Sequence, residues 1–193
     1  MPIVRLPKGQ LRDEIRQPIY DTINIPAATS PVGTQRFYSN VQGKTRTQSN
    51  LRQNNLLETA VSFRCQGLAV DAQNYFDANF SALPVIMENS SIKFQVGEKV
   101  YWEGPLTFIA GRMDAQYDNS AAARIYQRYG FPAVQAVILK GKHVVDINPL
   151  QSFFAEWVVD NMAAAKIALA TPAAATDLNF IFSMKGLLRR PVQ

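Results

Sequence analysis

Cysteine and histidine are nearly absent, because Cys65 and His143 are the single members of their kinds in a chain of 193 residues. One cysteine excludes an intrachain disulfide. Zinc sites usually need three or four Cys or His ligands, and a catalytic triad needs a histidine, so any such site would have to include His143. We interpret His143 as a surface or strand-edge residue and Cys65 as a small buried hydrophobe. The sequence therefore predicts no metal, cofactor or catalytic site, and we expect a protein that is not an enzyme.

Long apolar runs are missing too. The longest apolar stretch, around residues 153–170, is interrupted by four polar side chains, Glu156, Asp160, Asn161 and Lys166. A membrane-spanning helix needs about 20 predominantly apolar residues. The first residues lack an apolar core followed by a small-residue cleavage site, so they do not form a secretory signal. We expect a protein made in the cytosol and without a transmembrane helix.

Motifs for phosphate binding and acid catalysis are incomplete. Gly43-Lys44-Thr45 is typical of the end of a phosphate-binding loop, but Tyr38 stands where that loop needs its first glycine. Glu98 and Glu103 flank one predicted strand, and paired acids of this kind serve glycoside hydrolysis or hold a cation. Lys99 lies between them, so we interpret the pair as ordinary surface charge.

The net charge of +5 is unevenly distributed along the chain. Residues 1–64 carry nine basic and four acidic side chains, whereas the remaining 129 residues carry eleven of each. Such asymmetry indicates either a solvated face or a polyanionic neighbour, which is nucleic acid or an anionic lipid surface. The candidate contacts with a polyanion or a membrane are the first four basic residues, Arg5, Lys8, Arg12 and Arg16.

Three of these basic residues, Lys8, Arg12 and Arg16, recur every four positions. Leu11 and Ile15 lie on a neighbouring face of the same helical period. The spacing predicts a short amphipathic helix, which at about ten residues needs a second surface to stabilise it.

The prolines and small residues between positions 22 and 33 favour an extended arm rather than a core element. We therefore divide the chain into a basic N-terminal arm, residues 1–33, and a β-sandwich domain, residues 34–193. We expect the sandwich to fold without the arm.

Period-two alternation of apolar and polar residues dominates after position 61 and predicts half-buried strands. A phase shift across Gly67 predicts a β-bulge in the first of them. The clearest hairpin joins residues 92–96 to 100–102. Further strands are expected at residues 133–139, 143–147, 153–159 and 178–184, with a last strand after Gly186. About eight antiparallel strands indicate an all-β fold, a single jelly-roll β-sandwich.

One or two short helices accompany the predicted strands. An alanine-rich segment followed by Gly130 and Pro132 predicts an internal helix over residues 116–129. The second alanine-rich stretch, residues 162–176, is interrupted by Pro172 and forms either a helical turn or an extended loop.

Aromatic residues Tyr75, Phe76 and Phe80 fall in a loop-like segment, residues 74–89, that is too apolar for a plain linker. Exposed aromatic loops mark contact surfaces for protein or sugar, and burial over one end of the sandwich is the alternative. We select the three aromatic residues as candidate subunit contacts.

The order of these segments resembles that of the small jelly-roll coat proteins of tailless icosahedral bacteriophages, which include membrane-containing ones. The resemblance spans most of the chain and rests on five segments, Ile23-Asn24-Ile25-Pro26-Ala27, residues 37–45 (FYSNVQGKT), residues 63–70, Pro149-Leu150-Gln151-Ser152-Phe153 and residues 186–193 (GLLRRPVQ).

This resemblance implies a self-assembling capsid subunit whose arm contacts neighbouring subunits or the interior of the shell, lipid or genome. It implies homo-oligomeric capsomers, other coat proteins as further candidate partners, and a location in the virion after synthesis in the host cytoplasm. It brings no catalytic residue, cofactor or small-molecule substrate. The alternative is a β-sandwich module that binds a ligand or carbohydrate, with Tyr101 and Trp102 as additional contacts.

Overall fold

The computed structural model describes residues 3–5, 11–31, 33–73, 82–109, 113–117, 125–129, 137–160, 162–172 and 174–191. Within these ranges the strands are β1 (Ile3–Arg5), β2 (Leu11–Arg16), β3 (Ile19–Ile25), β4 (Gly33–Phe37), β5 (Ser62–Gln73), β6 (Ser90–Val96), β7 (Lys99–Pro105), β8 (Met113–Tyr117), β9 (Ile125–Tyr129), β10 (Val137–Ile138), β11 (Val145–Ile147), β12 (Phe153–Val159) and β13 (Leu178–Pro191). The helices in the described ranges are α1 (Ala82–Glu88) and α2 (Ala164–Ala170). The strand pairs of the described chain are antiparallel, which confirms the all-β prediction.

The strands form two sheets and a separate β8–β9 hairpin. The larger sheet has the order β1-β2-β13-β5-β10, with β3 also beside β13 and β11 also beside β5, and the smaller has the order β4-β12-β6-β7. Aromatic rings join the two inner faces. The Phe182 ring of β13 lies 5.6 Å from that of Phe37 and 6.0 Å from that of Phe94, and the Phe180 and Trp157 rings are 4.9 Å apart. The architecture is therefore sandwich-like, with its core between the sheets.

Alternation places the core residues. In β6 and in β12 every second side chain is buried, so that Phe94 and Trp157 face inward while Lys93 and Glu156 face outward. This two-residue period is what a sheet with one solvated face requires. The predicted hairpin is β6–β7, and the predicted strand at 153–159 is β12, so both predictions are confirmed.

Pairing between the principal strands is nested. The strand β3 pairs with β13, β4 pairs with β12, β5 pairs with β11, and β6 pairs with β7. Strands β1 and β2 and the separate β8–β9 hairpin are left out of this count, and β10 and β11 are counted as one interrupted strand. In chain order, the first of the eight remaining strands pairs with the eighth, the second with the seventh, the third with the sixth and the fourth with the fifth. These eight strands therefore form one long antiparallel ribbon, and each of its two halves contributes strands to both sheets.

A β-bulge lies where the sequence predicts it. Lys185 of β13 is opposite Gly67 of β5, but the next residue, Gly186, is opposite Cys65, so Gln66 is the extra residue. A Cβ on Gly186 would lie 2.0 Å from the Arg64 carbonyl oxygen, a distance that no side chain tolerates. The separate last strand expected after Gly186 is instead the continuation of β13.

Residues 11–16 are a strand, so the predicted amphipathic helix is wrong there. The strand β2 pairs with β1 on one side and with the second half of β13 on the other. Cross-strand hydrogen bonds and an apolar partner, Leu188 opposite Ile15, stabilise a strand, whereas an isolated helix of this length is marginal. The four-residue spacing of Lys8, Arg12 and Arg16 therefore does not reflect a helix over the described part.

The segment predicted as an extended arm contains a core strand. Ile19, Ile23 and Ile25 of β3 are buried, and β3 pairs with the first half of β13. The prediction that residues from 22 onward avoid the core is therefore wrong for the end of β3. A truncation that is meant to leave the sandwich intact has to end before Ile19.

The helix predicted over residues 116–129 is also wrong in its described parts. Residues 113–117 and 125–129 are the paired strands β8 and β9, and residues 118–124 lie outside the described chain. Tyrosine near both ends of the predicted helix and Ile125 near its end favour strands, and their preference outweighs that of the alanines between them.

Four further predictions meet mixed outcomes. The strands expected at 133–139 and 143–147 are shorter, Val137–Ile138 and Val145–Ile147, with a 3-10 turn at Gly141–His143 between them. Residues 133–136 lie outside the described chain. The helical alternative for residues 162–176 is confirmed by α2, whereas α1 occupies part of the segment expected to be a loop. Among the described residues, neither α1 nor α2 is long and apolar enough to cross a membrane.

Candidate assembly site

The structure places the predicted contact residues unevenly. Arg5 lies in β1, and Arg12 and Arg16 lie in β2, where Arg16 is exposed. The other four selected residues, Lys8, Tyr75, Phe76 and Phe80, lie outside the described residues. The described part of the predicted site is therefore the ribbon of β1 and β2 at one margin of the larger sheet.

Opposite charges align β2 with the second half of β13. The Arg189 Nε donates to Glu14 Oε2 at 2.7 Å, and the Arg190 Nε lies 4.0 Å from Asp13 Oδ2. Directly opposite residues are Glu14 with Arg189 and Asp13 with Arg190. A shift of one residue would exchange the faces of β2, so the charges and the pairing specify a single register. Arg189 and Arg190 were not among the predicted contact residues, although two adjacent basic residues were an available signal.

The connection between β2 and β3 has no slack. Arg16 is opposite Leu187 and Ile19 is opposite Met184, so two residues, Gln17 and Pro18, span the same length as two residues of β13. Both connecting residues are exposed. Asn50 holds the β3 side, because its Nδ2 donates to the Pro18 carbonyl oxygen at 2.7 Å.

A buried ion pair anchors β3. The Asp21 side chain is completely buried, and the Lys44 Nζ lies 2.8 Å from its Oδ1, while the Tyr38 backbone N–H donates to Oδ2 at 2.6 Å. The Lys44 ammonium also donates to the Thr22 carbonyl oxygen at 2.6 Å. Burial, and then the Asp21 charge, raise the pKa of Tyr38 well above its usual value. Lys44 is therefore a structural residue, which explains Gly43-Lys44-Thr45 without a phosphate ligand.

Most described edges of the two sheets are protected against pairing with another chain. On the side of β3 that faces away from β13, the Asn50 backbone N–H donates to the Tyr20 carbonyl oxygen, and the Tyr20 N–H donates to Asn50 Oδ1. The edge strand β7 carries a bulge and ends at Pro105, and the 3-10 turn at 141–143 interrupts the opposite edge of the larger sheet. Bulges, prolines and interruptions of this kind discourage nonspecific edge pairing.

Charges alternate across the outer face of the smaller sheet. Arg36, Glu156, Lys93 and Glu103 are directly opposite one another from β4 to β7. The Glu156 carboxylate lies 2.8 Å from Arg36 Nη2 and 3.2 Å from Lys93 Nζ. The hydrogen bond from Arg36 is the largest cause that lowers the pKa of Glu156 below its usual value. Glu103 is directly opposite Lys93, which supports the interpretation of Glu103 as an ordinary surface charge.

We expect Glu156→Gln to flatten the stability profile at acid pH. The lowered pKa of Glu156 means that its contribution is complete above the ordinary value of 4.5 and is lost as pH falls through the depressed pKa. The variant should lose about 1 kcal/mol at pH 7 and about nothing at pH 2. Urea titrations from pH 7 to pH 2 measure this. Asp146→Asn, in an exposed pair with Arg64, is the control, and an equal flattening there would contradict the assignment of the effect to the contacts of Glu156 with Arg36 and Lys93.

Part of the basic excess of residues 1–64 is paired with acidic side chains in space. Four of its nine basic side chains form ion pairs with carboxylates of the described chain, namely Arg36, Lys44, Arg52 and Arg64. Two of those carboxylates, Glu156 and Asp146, come from the later part of the chain. Arg16 and Arg46 are exposed and have no ion-pair partner among the described residues.

The residues considered for ligand chemistry take other positions. Tyr101 and Trp102 are both half-buried and pack against the core, so they do not form an exposed stacking platform. His143 is exposed and Cys65 is buried, which confirms both interpretations. Burial raises the pKa of Cys65 to about 12, so its thiol is protonated and unreactive. No three acidic, histidine or cysteine side chains of the described ranges come together as a metal site.

The chain matches no protein-family model, no curated protein and no solved structure. Its function is therefore argued from the geometry of its own strands.

Proposed function

We propose that the chain is a self-assembling coat subunit of an icosahedral phage shell, built on a single jelly roll. The observation that carries the proposal is the nested pairing of eight strands, from β3 with β13 to β6 with β7. A jelly roll is a ribbon of this kind wrapped into two sheets, and viral capsids, lectins and cupins use it.

The remaining features favour a coat protein among the jelly-roll classes. Cupin metal sites normally use several histidines, and the chain has one. Carbohydrate modules stack sugars on exposed aromatic rings, whereas Tyr101 and Trp102 pack against the core. The larger sheet is extended by β1 and β2 beyond the eight nested strands, at a margin where the pairing is coded by charge. Additional strands that pair in a single register give a subunit a means of joining other copies of itself.

The proposed partners are other copies of the chain in capsomers and shell, and other coat proteins where the shell contains them. Within the β1–β2 ribbon, exposed Arg16 supports a contact with genome or internal membrane, together with Arg5, Lys8 and Arg12 of the same segment. The proposed location is the virion, after synthesis in the host cytoplasm. The proposal includes no catalytic activity, cofactor or small-molecule substrate.

Light scattering and negative-stain microscopy of the purified full chain, at low and moderate salt, test the proposal. We expect shells, capsomers or sheets. Removal of residues 1–16 should leave a folded protein, because the core strand β3 begins at Ile19, but should abolish assembly. Circular dichroism and urea unfolding check that the truncated chain is folded. A 21.5 kDa monomer of the full chain under every condition would contradict self-assembly.

A further inference from the structure

We propose that strand β2, with β1 paired to it, is exchanged between copies, so that β2 of one copy pairs with β13 of its neighbour. This inference rests on the proposed self-assembly and names the element that performs it. The partner is a second copy of this chain.

The contacts of β2 are of a kind that a second copy supplies equally well. Its described pairing is with β1, which would move with it, and with residues 187–191 of β13. The ion pair of Glu14 with Arg189 and the opposition of Ile15 and Leu188 are unchanged when β13 belongs to another molecule. Exchange therefore replaces each lost contact by an identical one, which makes it a low-cost route to association.

The connection between β2 and β3 suits this exchange. Two exposed residues, Gln17 and Pro18, hold the strands collinear without slack, and short connections of this kind invite swapping. The bond from Asn50 fixes Pro18 to the body of the protein, so the backbone at Gln17 is the place where the chain redirects. A straight, extended connection reaches a neighbouring molecule as readily as its own β13.

The body beyond the connection stays in place. The buried pair of Asp21 with Lys44 holds β3 against the loop that covers its free side, and Ile19 and Ile25 are buried in the core. In contrast, Asp13, Glu14 and Ile15 are half-buried. The division between a fixed β3 and a transferable β2 thus coincides with the boundary of the core.

Charge reversal distinguishes exchanged from unexchanged pairing. Glu14→Arg places two arginines opposite each other within one molecule, and Arg189→Glu places two glutamates there. We expect each variant alone to lose assembly. An equimolar mixture should assemble, because the new arginine of one variant then meets the new glutamate of the other across the exchanged strands. Arg52→Glu mixed with Glu58→Arg is the matched control, since this exposed pair includes no residue of β2 or β13, and these variants should assemble singly.

A reversible lock provides the second test. Ile15→Cys with Leu188→Cys, oxidised in the dissociated state, ties β2 to its own β13, since the two residues are directly opposite. We expect the locked protein not to assemble until a reductant is added. If the assembled protein is oxidised instead, covalent multiples of 21.5 kDa should appear on a denaturing gel. The control pair, Asn24→Cys with Asn179→Cys, joins β3 to β13 and should give intrachain bonds in both states.

The outcomes separate the inference from the proposal on which it rests. Full assembly of the locked chain, or links confined to single molecules within assembled particles, would overturn strand exchange and leave self-assembly standing. Failure of the unmodified chain to form any oligomer would overturn both.

Discussion

Replacing Gly186 by alanine is expected to prevent folding. A Cβ at this position would lie 2.0 Å from the Arg64 carbonyl oxygen and 2.9 Å from the Phe63 ring. The obstacle is backbone of β5, in the middle of the larger sheet, so relief requires the two longest strands to separate at their bulge. We expect a loss of more than about 4 kcal/mol in the free energy of unfolding, comparable with the whole stability of a domain this small. Tryptophan fluorescence in a urea titration, or failure to obtain soluble protein, measures it.

Gly67→Ala is the matched control on the other strand of the same bulge. Its Cβ would lie 3.2 Å from the Val137 carbonyl oxygen, a close approach that a small shift of β10 relieves. We expect a loss of about 1 kcal/mol. If Gly186→Ala lowered the free energy of unfolding no more than this control does, the close approach of β13 to the backbone of β5 at Gly186 would be contradicted.

Lys44→Met is expected to be the most damaging substitution outside the two sheets. It leaves the Asp21 carboxylate completely buried without its ammonium partner, with the Tyr38 N–H as a remaining donor. Removing one partner of a buried ion pair costs about 3–5 kcal/mol. Urea unfolding at pH 7 should show this loss, and the double variant Asp21→Asn with Lys44→Met should recover part of it, because the uncompensated charge is gone.

Arg52→Met provides the comparison for an exposed pair. Arg52 and Glu58 are 3.2 Å apart at their closest atoms, but their side chains are 72% and 52% exposed. Solvent screens such a pair, so we expect a change of about 0.5 kcal/mol or less. Equal losses for Lys44→Met and Arg52→Met would contradict the anchoring role assigned to Lys44.

Elements that are stabilised by local alternation could be predicted from the sequence. The strands β6 and β12 each alternate over seven residues, and Gly67 signals a bulge through a shift of phase within one strand. Each of these signals is contained within a stretch of about a dozen residues or fewer. They depend on which face of a sheet is solvated and not on which strand is the neighbour.

Elements whose identity depends on a distant partner could not be predicted. Leu11 and Ile15 of β2 are four residues apart, a spacing that places them on one face of a helix and also on one face of a strand. The pairing with β13, more than 150 residues later, decides between the two. The net charge around a basic residue likewise could not be predicted, because it depends on acids that are distant in the sequence. Arg36 and Arg64 contribute to a basic segment of the sequence, whereas Glu156 and Asp146 neutralise them in the fold.

Nested pairing has a consequence for synthesis on the ribosome. In the larger sheet β13 lies between β3 and β5, so neither of those early strands has its central neighbour until residues 178–191 have been translated. At about 5–20 residues per second, β3 waits roughly 10–30 s for β13. Throughout that interval β3, which carries the buried residues Ile19 and Ile23, lacks the neighbouring strand with which it pairs. The larger sheet therefore cannot be completed until β13 has been translated, and until then its early strands remain available for pairing with other chains.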